Sequence, residues 1–341
     1  MMISSGLFDV QVNGYAGVDF NDIRLTPAAF DQALEAMLAD GVTGCLPTLI
    51  TAMPDTLHER FRALDHAVQH SRLGRLMVPG YHLEGPFLNA EPGYCGCHPP
   101  TAMSDPDLGL IDDLDALLSR PILMVTLAPE RHGGIAAIEA LRQRGKTVAI
   151  GHSAAGYADI AAAAHAGATL STHLGNGLPQ ELPKLENTLL AQLAEPGLKA
   201  TLIADGHHLS PEVLAALIRL KGGENCILTT DAVVAAAAPP GRYRFAGMEI
   251  ERNGDGVVRA PGAIGLAGSA LRLDAAVRNL VEWGIADVAV ALRMASEQPR
   301  AALAYSLSHY RIQLIPGQVR WNAALEPEVL APGSCVGDVY H

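Results

Sequence analysis

Glu130, His152, His173 and Asp231 each stand just beyond the end of a short apolar run. Two imidazoles and a carboxylate can hold a catalytic zinc ion and leave a coordination position open for water. A further carboxylate, Asp231, can then accept a proton from that water, because a metal lowers the pKa of water from 15.7 towards about 7. Any one of these residues alone reads more simply as a capping or hydrogen-bonding group. Four of them at four strand ends weigh towards a site, although spacing by itself leaves both readings open.

The elements that would position them repeat along the chain. Apolar runs occupy residues 6–12, 44–50, 76–83, 122–128, 147–150, 168–171, 199–204 and 226–228. At or just past their ends come Gln11 and Asn13, Thr51, His82 and Glu84, Glu130, His152, His173, Asp205 with His207 and His208, and Asp231. Helical spacing separates most of the runs: residues 27–40 carry Phe30, Leu34, Met37 and Leu38 on one face, and 135–144, 156–165, 211–221 and 269–283 read alike. Eight strand–helix units predict an α/β chain folded as a (β/α)8 TIM barrel, whose active site lies at the C-terminal ends of its strands.

Three stretches break the rhythm. Residues 85–105 form a Pro/Gly-rich loop, and loops of that length in a compact domain are usually functional or disordered. Residues 242–260 alternate and carry Asn253-Gly254-Asp255-Gly256, a hairpin signal, between the eighth strand and its helix. Segments 311–315, 318–325 and 334–340 resemble short strands joined by turns. The expected organisation is a barrel over residues 1–308 and a small β-appendage over 309–341.

The 341 residues, 49% of them hydrophobic, suffice for one barrel with insertions. A net charge of −12 argues against a nucleic-acid or anionic-membrane surface. No run approaches the roughly 18 apolar residues of a membrane span. The start, MMISSGLFDVQVNG, lacks the basic and apolar regions of a signal peptide. Five cysteines, an odd number, are expected to be mostly reduced thiols in a cytoplasmic protein. Cys95-Gly96-Cys97-His98 lacks a second ligand pair for a structural zinc site, and His98 reads better as a substrate-facing loop residue.

Several motifs then occur in order: DVQVNGYAGVDFND (9–22), HLEGPFLN (82–89), VTLAPE (125–130), GHS (151–153), THL (172–174), IADGHH (203–208), TTDA (229–232) and LAGSALRLDAAVRNLVE (266–282). Together they resemble the N-acetylglucosamine-6-phosphate deacetylase family of the amidohydrolase superfamily, over residues 6–304. The resemblance implies a metal-dependent hydrolase that removes acetate from an N-acetylated amino sugar phosphate. It implies Glu130, His152 and His173 as metal ligands and Asp231 as acid/base. His208, Asn176, Gly177, Leu266, Ala267 and Gly268 are implied as substrate contacts. Where superfamily relatives carry His-x-His for a second metal, this chain has Gln11-Val12-Asn13. Amides bind zinc far more weakly than imidazoles, so one divalent metal is expected, zinc first, with iron or another divalent ion also fitting the ligands.

The resemblance further implies a homodimer, because the family uses a neighbouring subunit's Arg on the substrate phosphate. Lys184 stands nearest that position here, and lysine meets phosphate only as a point charge. The family ordinarily begins with strands of a small β-sandwich, so the tail is expected to be a sandwich remnant without its partner. Two alternatives stay open: a related amidohydrolase with a different amide substrate, phosphorylated or not, and a barrel that binds sugar without catalysis.

Overall fold

The structure, a computed structural model, describes residues 2–336 apart from Ile264. Eight parallel strands form its centre: β1 (Leu7–Val12), β2 (Val42–Ile50), β3 (Tyr81–Glu84), β4 (Ile122–Leu127), β5 (Thr147–Ile150), β6 (Ala168–Ser171), β7 (Lys199–Leu202) and β8 (Cys226–Leu228). They neighbour one another in sequence order. The sheet closes just past β8, where Asp231 N donates to Gln11 O at 3.0 Å and Asn13 N to Ala232 O at 2.7 Å. A parallel bridge between Val12 and Ala232 completes the seam. Closure satisfies both edges and turns every strand's C-terminal end to the same rim.

All β1, β2 and β4 residues are buried, as strands covered on both faces require. Helices cover the outside. The first (Pro27–Ala39) starts on a Thr26 side-chain cap with Pro at its first position, and buries Phe30, Ala33, Leu34 and Met37. The helix over Pro211–Lys221 is capped by Ser210 in the same way. The run expected at 76–83 divides: Gly74–Met77 is a helical turn, and only Tyr81–Glu84 is strand. Pro79 and Gly80 lie between them and interrupt either kind of regular structure.

The expected hairpin is a three-stranded meander: β9 (Gly241–Phe245), β10 (Met248–Arg252) and β11 (Val258–Arg259). Its second turn is the Asn253–Gly256 stretch, where Asn253 Oδ1 accepts from Asp255 N and Val257 N. In the tail, Gln318–Trp321 pairs antiparallel with Pro327–Ala331, and Gln313–Ile315 with Ser334–Val336. The tail is not left without a partner. Met2–Ser5 pairs with Gln318–Trp321, and Trp321 Nε1 donates to Ser4 Oγ at 2.8 Å. Residues 337–340 of the expected last strand lie outside the described residues.

Candidate active site

A cavity of about 1000 Å³ opens at the C-terminal rim of the barrel. On its floor Glu84, the last residue of β3, is ringed by imidazoles. His173 Nε2 lies 2.9 Å and His152 Nε2 3.4 Å from Glu84 Oε1, and His98 Nε2 lies 3.6 Å from Oε2. All four side chains are buried. His152 and His173 follow β5 and β6 by two residues, and Asp231 follows β8 by three. The three share a left-handed backbone, with φ of 51°, 31° and 49°. Such values cost a non-glycine residue on the order of 1 kcal/mol or more and concentrate at functional sites.

Glu130 does not join this group. Its Oε1 accepts from Asn89 Nδ2 (3.0 Å) and Ala154 N (2.6 Å), and its Oε2 from Ser153 Oγ (2.7 Å). It lines a separate shallow depression with Asn89 and Arg131. The reason is position. Glu84 ends its strand, whereas Glu130 stands three residues past β4, beyond Pro129, where the chain has turned outward. Glu130 instead grips the backbone just after His152.

The tautomers around Glu84 can be read from their outer partners. His152 Nδ1 faces the carbonyl oxygen of Tyr94 at 2.7 Å, so it must carry the proton. Thr51 donates its hydroxyl to Glu84 O at 3.3 Å, which leaves its oxygen to accept from His98 Nδ1 at 2.9 Å. Burial, and then the neighbouring His152, push the His98 pKa down, towards the neutral ring. In the neutral rings, both Nε2 lone pairs then face a carboxylate. Lone pairs and an anion converging on one point repel one another unless a cation sits between them. His173 Nδ1 is buried without a partner among the described residues. The ligand atoms of Glu84, His98 and His152 all lie within 4.8 Å of one another, a donor set that fits a divalent metal of the zinc type, with outer hydrogen bonds orienting the imidazoles and His173 beside them.

Asp231 faces the same cavity. Its Oδ1 accepts from Asn13 Nδ2 at 2.8 Å and Gln11 Nε2 at 3.1 Å, whereas Oδ2 takes no hydrogen bond from the described residues. Burial, and next the Glu84 charge, push the Asp231 pKa up. The Gln11 and Asn13 amides thus serve the aspartate. Beneath them, Asp9 accepts from Thr229 Oγ1 (2.8 Å) and Thr230 Oγ1 (2.5 Å), which ties β1 to the end of β8.

The other expected contacts divide. His208 is fixed by Asp205, which accepts from its Nδ1 at 2.7 Å and its backbone N at 2.8 Å, leaving Nε2 for the cavity. Asn176, Gly177, Leu266, Ala267 and Gly268 also line the cavity. Gly177 is required: its φ is 61°, and a Cβ there would stand 2.6 Å from His152 Nδ1. Lys184 is exposed and does not line the cavity. His82 is structural: Thr48 and Thr126 hydroxyls hold its two nitrogens, and burial lowers its pKa to about 4. Cys97 is kept a neutral thiol, its pKa pushed by burial to about 12. Sequence reasoning left Thr51 without a role and assigned Glu84 none. Glu84's signal was its place at the strand end, directly before Gly85-Pro86.

No protein-family model matches the chain. N-acetylgalactosamine-6-phosphate deacetylase of Escherichia coli O157:H7 is 36% identical over 302 residues, spanning 89% of this chain and 78% of that protein. N-acetylglucosamine-6-phosphate deacetylase of Danio rerio is 36% identical over 316 residues, spanning 89% and 76%. Among solved structures, N-acetyl-D-glucosamine-6-phosphate deacetylase of Mycobacterium smegmatis superposes with a TM-score of 0.86 at 28% identity. That structure is an aspartate-to-alanine mutant bound to N-acetyl-D-glucosamine-6-phosphate, and the match covers 98% of this chain and 86% of that one. With identity sustained over most of both chains and a barrel that superposes throughout, this chain belongs to the N-acetylglucosamine-6-phosphate deacetylase family, hydrolases of the amidohydrolase superfamily.

Proposed function

We propose that this protein hydrolyses the acetamide of an N-acetylhexosamine 6-phosphate, giving acetate and the free amino sugar phosphate. The observation that carries this reading is the convergence of His152 and His173 Nε2 on one oxygen of Glu84, across the cavity floor from Asp231 with one oxygen free. Glu84, His152 and His173 would hold a single divalent metal, zinc first, with His98 beside it on the other carboxylate oxygen. When bound, the metal supplies Lewis acidity, which polarises a carbonyl and lowers the pKa of water.

The chain's own groups do the rest. Asp231, anchored through Oδ1 by Asn13 and Gln11, presents Oδ2 to take the proton of the attacking water. Its raised pKa makes it a stronger base than an exposed aspartate and lets it return the proton to the leaving amine. His208, oriented by Asp205 with its proton on Nδ1, offers the Nε2 lone pair to a sugar hydroxyl. Asn176 and Gly177 on one side, and Leu266 to Gly268 on the other, enclose the sugar ring. A homodimer and a cytoplasmic location belong to the same reading.

The test is a panel of N-acetylglucosamine and N-acetylgalactosamine, each with and without 6-phosphate, assayed for acetate release by metal-loaded protein. Both epimers belong in it because relatives of either name are equally similar. Release from a 6-phosphate is expected. Bound metal with no release from any of the four would favour a sugar-binding barrel instead.

A further inference from the structure

Between the cavity floor and the apolar base of the barrel lies a polar layer centred on His82, the structural histidine of β3. Its Nδ1 faces Thr48 Oγ1 at 3.2 Å and its Nε2 faces Thr126 Oγ1 at 2.8 Å. Thr126 Oγ1 in turn meets Thr172 Oγ1 at 2.8 Å. All four side chains are buried. Two residues before each threonine stand Leu46, Met124 and Leu170, which share one apolar cluster. Alternation puts residues i and i+2 on the same strand face, so the layer stands directly on that cluster. A (β/α)8 interior is ordinarily filled by branched apolar side chains. An imidazole and three hydroxyls there cost free energy unless each is hydrogen-bonded.

The bonds run in one direction. Thr48 gives its hydrogen to Leu46 O at 3.1 Å, so its oxygen accepts from His82 Nδ1. His82 Nε2 is then an acceptor and takes the Thr126 hydroxyl, which leaves Thr126 Oγ1 to accept from Thr172. Glycine at position 151 makes that last contact possible. A Cβ there would stand 2.9 Å from both Thr126 Cγ2 and Thr172 Cβ. The chain just past β5 therefore presents no side chain, and residues from β4 and the end of β6 meet across it.

Members of this layer adjoin the floor groups along the chain. Gly151 directly precedes His152, Thr172 directly precedes His173, and His82 stands two residues before Glu84 on the same strand face. We propose that His82, Thr126 and Thr172 are positioning residues of the floor, a hydrogen-bonded layer that fixes where Glu84, His152 and His173 hold the metal. Hydrogen bonds are directional where apolar packing is not, so this layer sets the relative heights of β2 to β6. Ligands must be held within about 0.5 Å of their working geometry, which needs such support from behind. The inference rests on the metal-binding reading above and adds to it groups that touch neither metal nor substrate.

The experiment loads wild type, His82→Leu, His82→Gln, Thr126→Val and Thr172→Val with Co2+, whose visible absorption reports ligand geometry. Spectrum, Co2+ affinity, thermal midpoint and kinetics on the four-sugar panel are measured for each. The valine variants keep the side-chain shape and remove only the hydroxyl. Both should shift the Co2+ band and weaken Co2+ binding by about 10- to 100-fold, the scale of groups that orient a ligand. Loss of activity should fall on kcat and leave KM unchanged. His82→Leu should show the same changes enlarged. His82→Gln should recover most of them, because its amide can still donate to Thr48 and accept from Thr126. A role in stability alone would lower the midpoint and leave spectrum and affinity as in wild type; that result in both valine variants overturns the proposal. If His82→Leu does not fold, the valine variants still decide. A wild type that binds Co2+ but hydrolyses none of the sugars ends the deacetylase reading, while the spectra still judge the layer. A wild type that binds no Co2+ removes both.

Discussion

The floor and the outer wall of the cavity are built on different principles. On the floor, Glu84, His152, His173 and Asp231 sit at or within three residues of barrel strand ends, buried, with partners that set the His152 tautomer and the anchored oxygen of Asp231. On the wall, Arg259 is exposed and unpartnered on a short strand of an inserted meander. A barrel rim holds reacting groups within the tolerance that catalysis needs, because closed strands cannot shift independently. An inserted meander can change without disturbing that frame. The difference places the metal and proton chemistry on the floor and leaves the wall free to vary.

The sharpest way to break this division is Glu84→Gln against Glu130→Gln. If the floor is built as described, Glu84→Gln abolishes both metal retention and turnover. Glu130→Gln, which disturbs only the backbone behind His152, should lose about 10- to 100-fold at most, as changes behind a ligand do. Metal content by plasma mass spectrometry and acetate release together check this; equal metal loss in the two variants would reverse the assignment.

Next in size is Asp231→Asn. Loss of a general acid/base costs about 10²- to 10⁴-fold in kcat. Metal content should remain at the wild-type level, which separates proton transfer from metal binding. A variant that turns over normally would remove Asp231 from the mechanism.

Gly177→Ala probes how closely the loop after β6 packs on the floor. Its Cβ would stand 2.6 Å from His152 Nδ1 at a φ of 61°, so His152 must shift. A loss of roughly tenfold in kcat/KM is expected on all substrates alike. A loss confined to phosphorylated substrates would blur the boundary between floor and wall.

The smallest effect concerns stability. Burial raises the Asp9 pKa from 3.8 to about 6, against the hydrogen bonds from Thr230 and Thr229. The folded state thus takes up this proton at a higher pH than the unfolded chain does. Asp9's contribution is fully present below pH 3.8 and is lost as pH rises through about 6. Asp9→Asn has no such proton. The stability of wild type relative to Asp9→Asn should therefore fall between pH 4 and 6, by on the order of 3 kcal/mol. Urea unfolding across that range measures it; a constant difference would show Asp9 ionised throughout.

The sequence by itself determined the barrel, a turn-bearing insertion after the eighth strand and the loop, along with His152, His173, His208 and Asp231 as groups at the strand ends. Apolar runs, caps and turn residues are local signals, and a residue directly after a strand has few directions open to it. Only the tertiary structure separated Glu84 from Glu130, since the path of the chain past β4 carries Glu130 outward to Asn89 and Ser153. It alone joined Thr51 to His98, Asn13 and Gln11 to Asp231, and Met2–Ser5 to the tail. The Trp321–Ser4 hydrogen bond joins residues 317 apart. Spacing along the chain carries no record of such meetings, because they follow from barrel closure and loop path and not from local propensity.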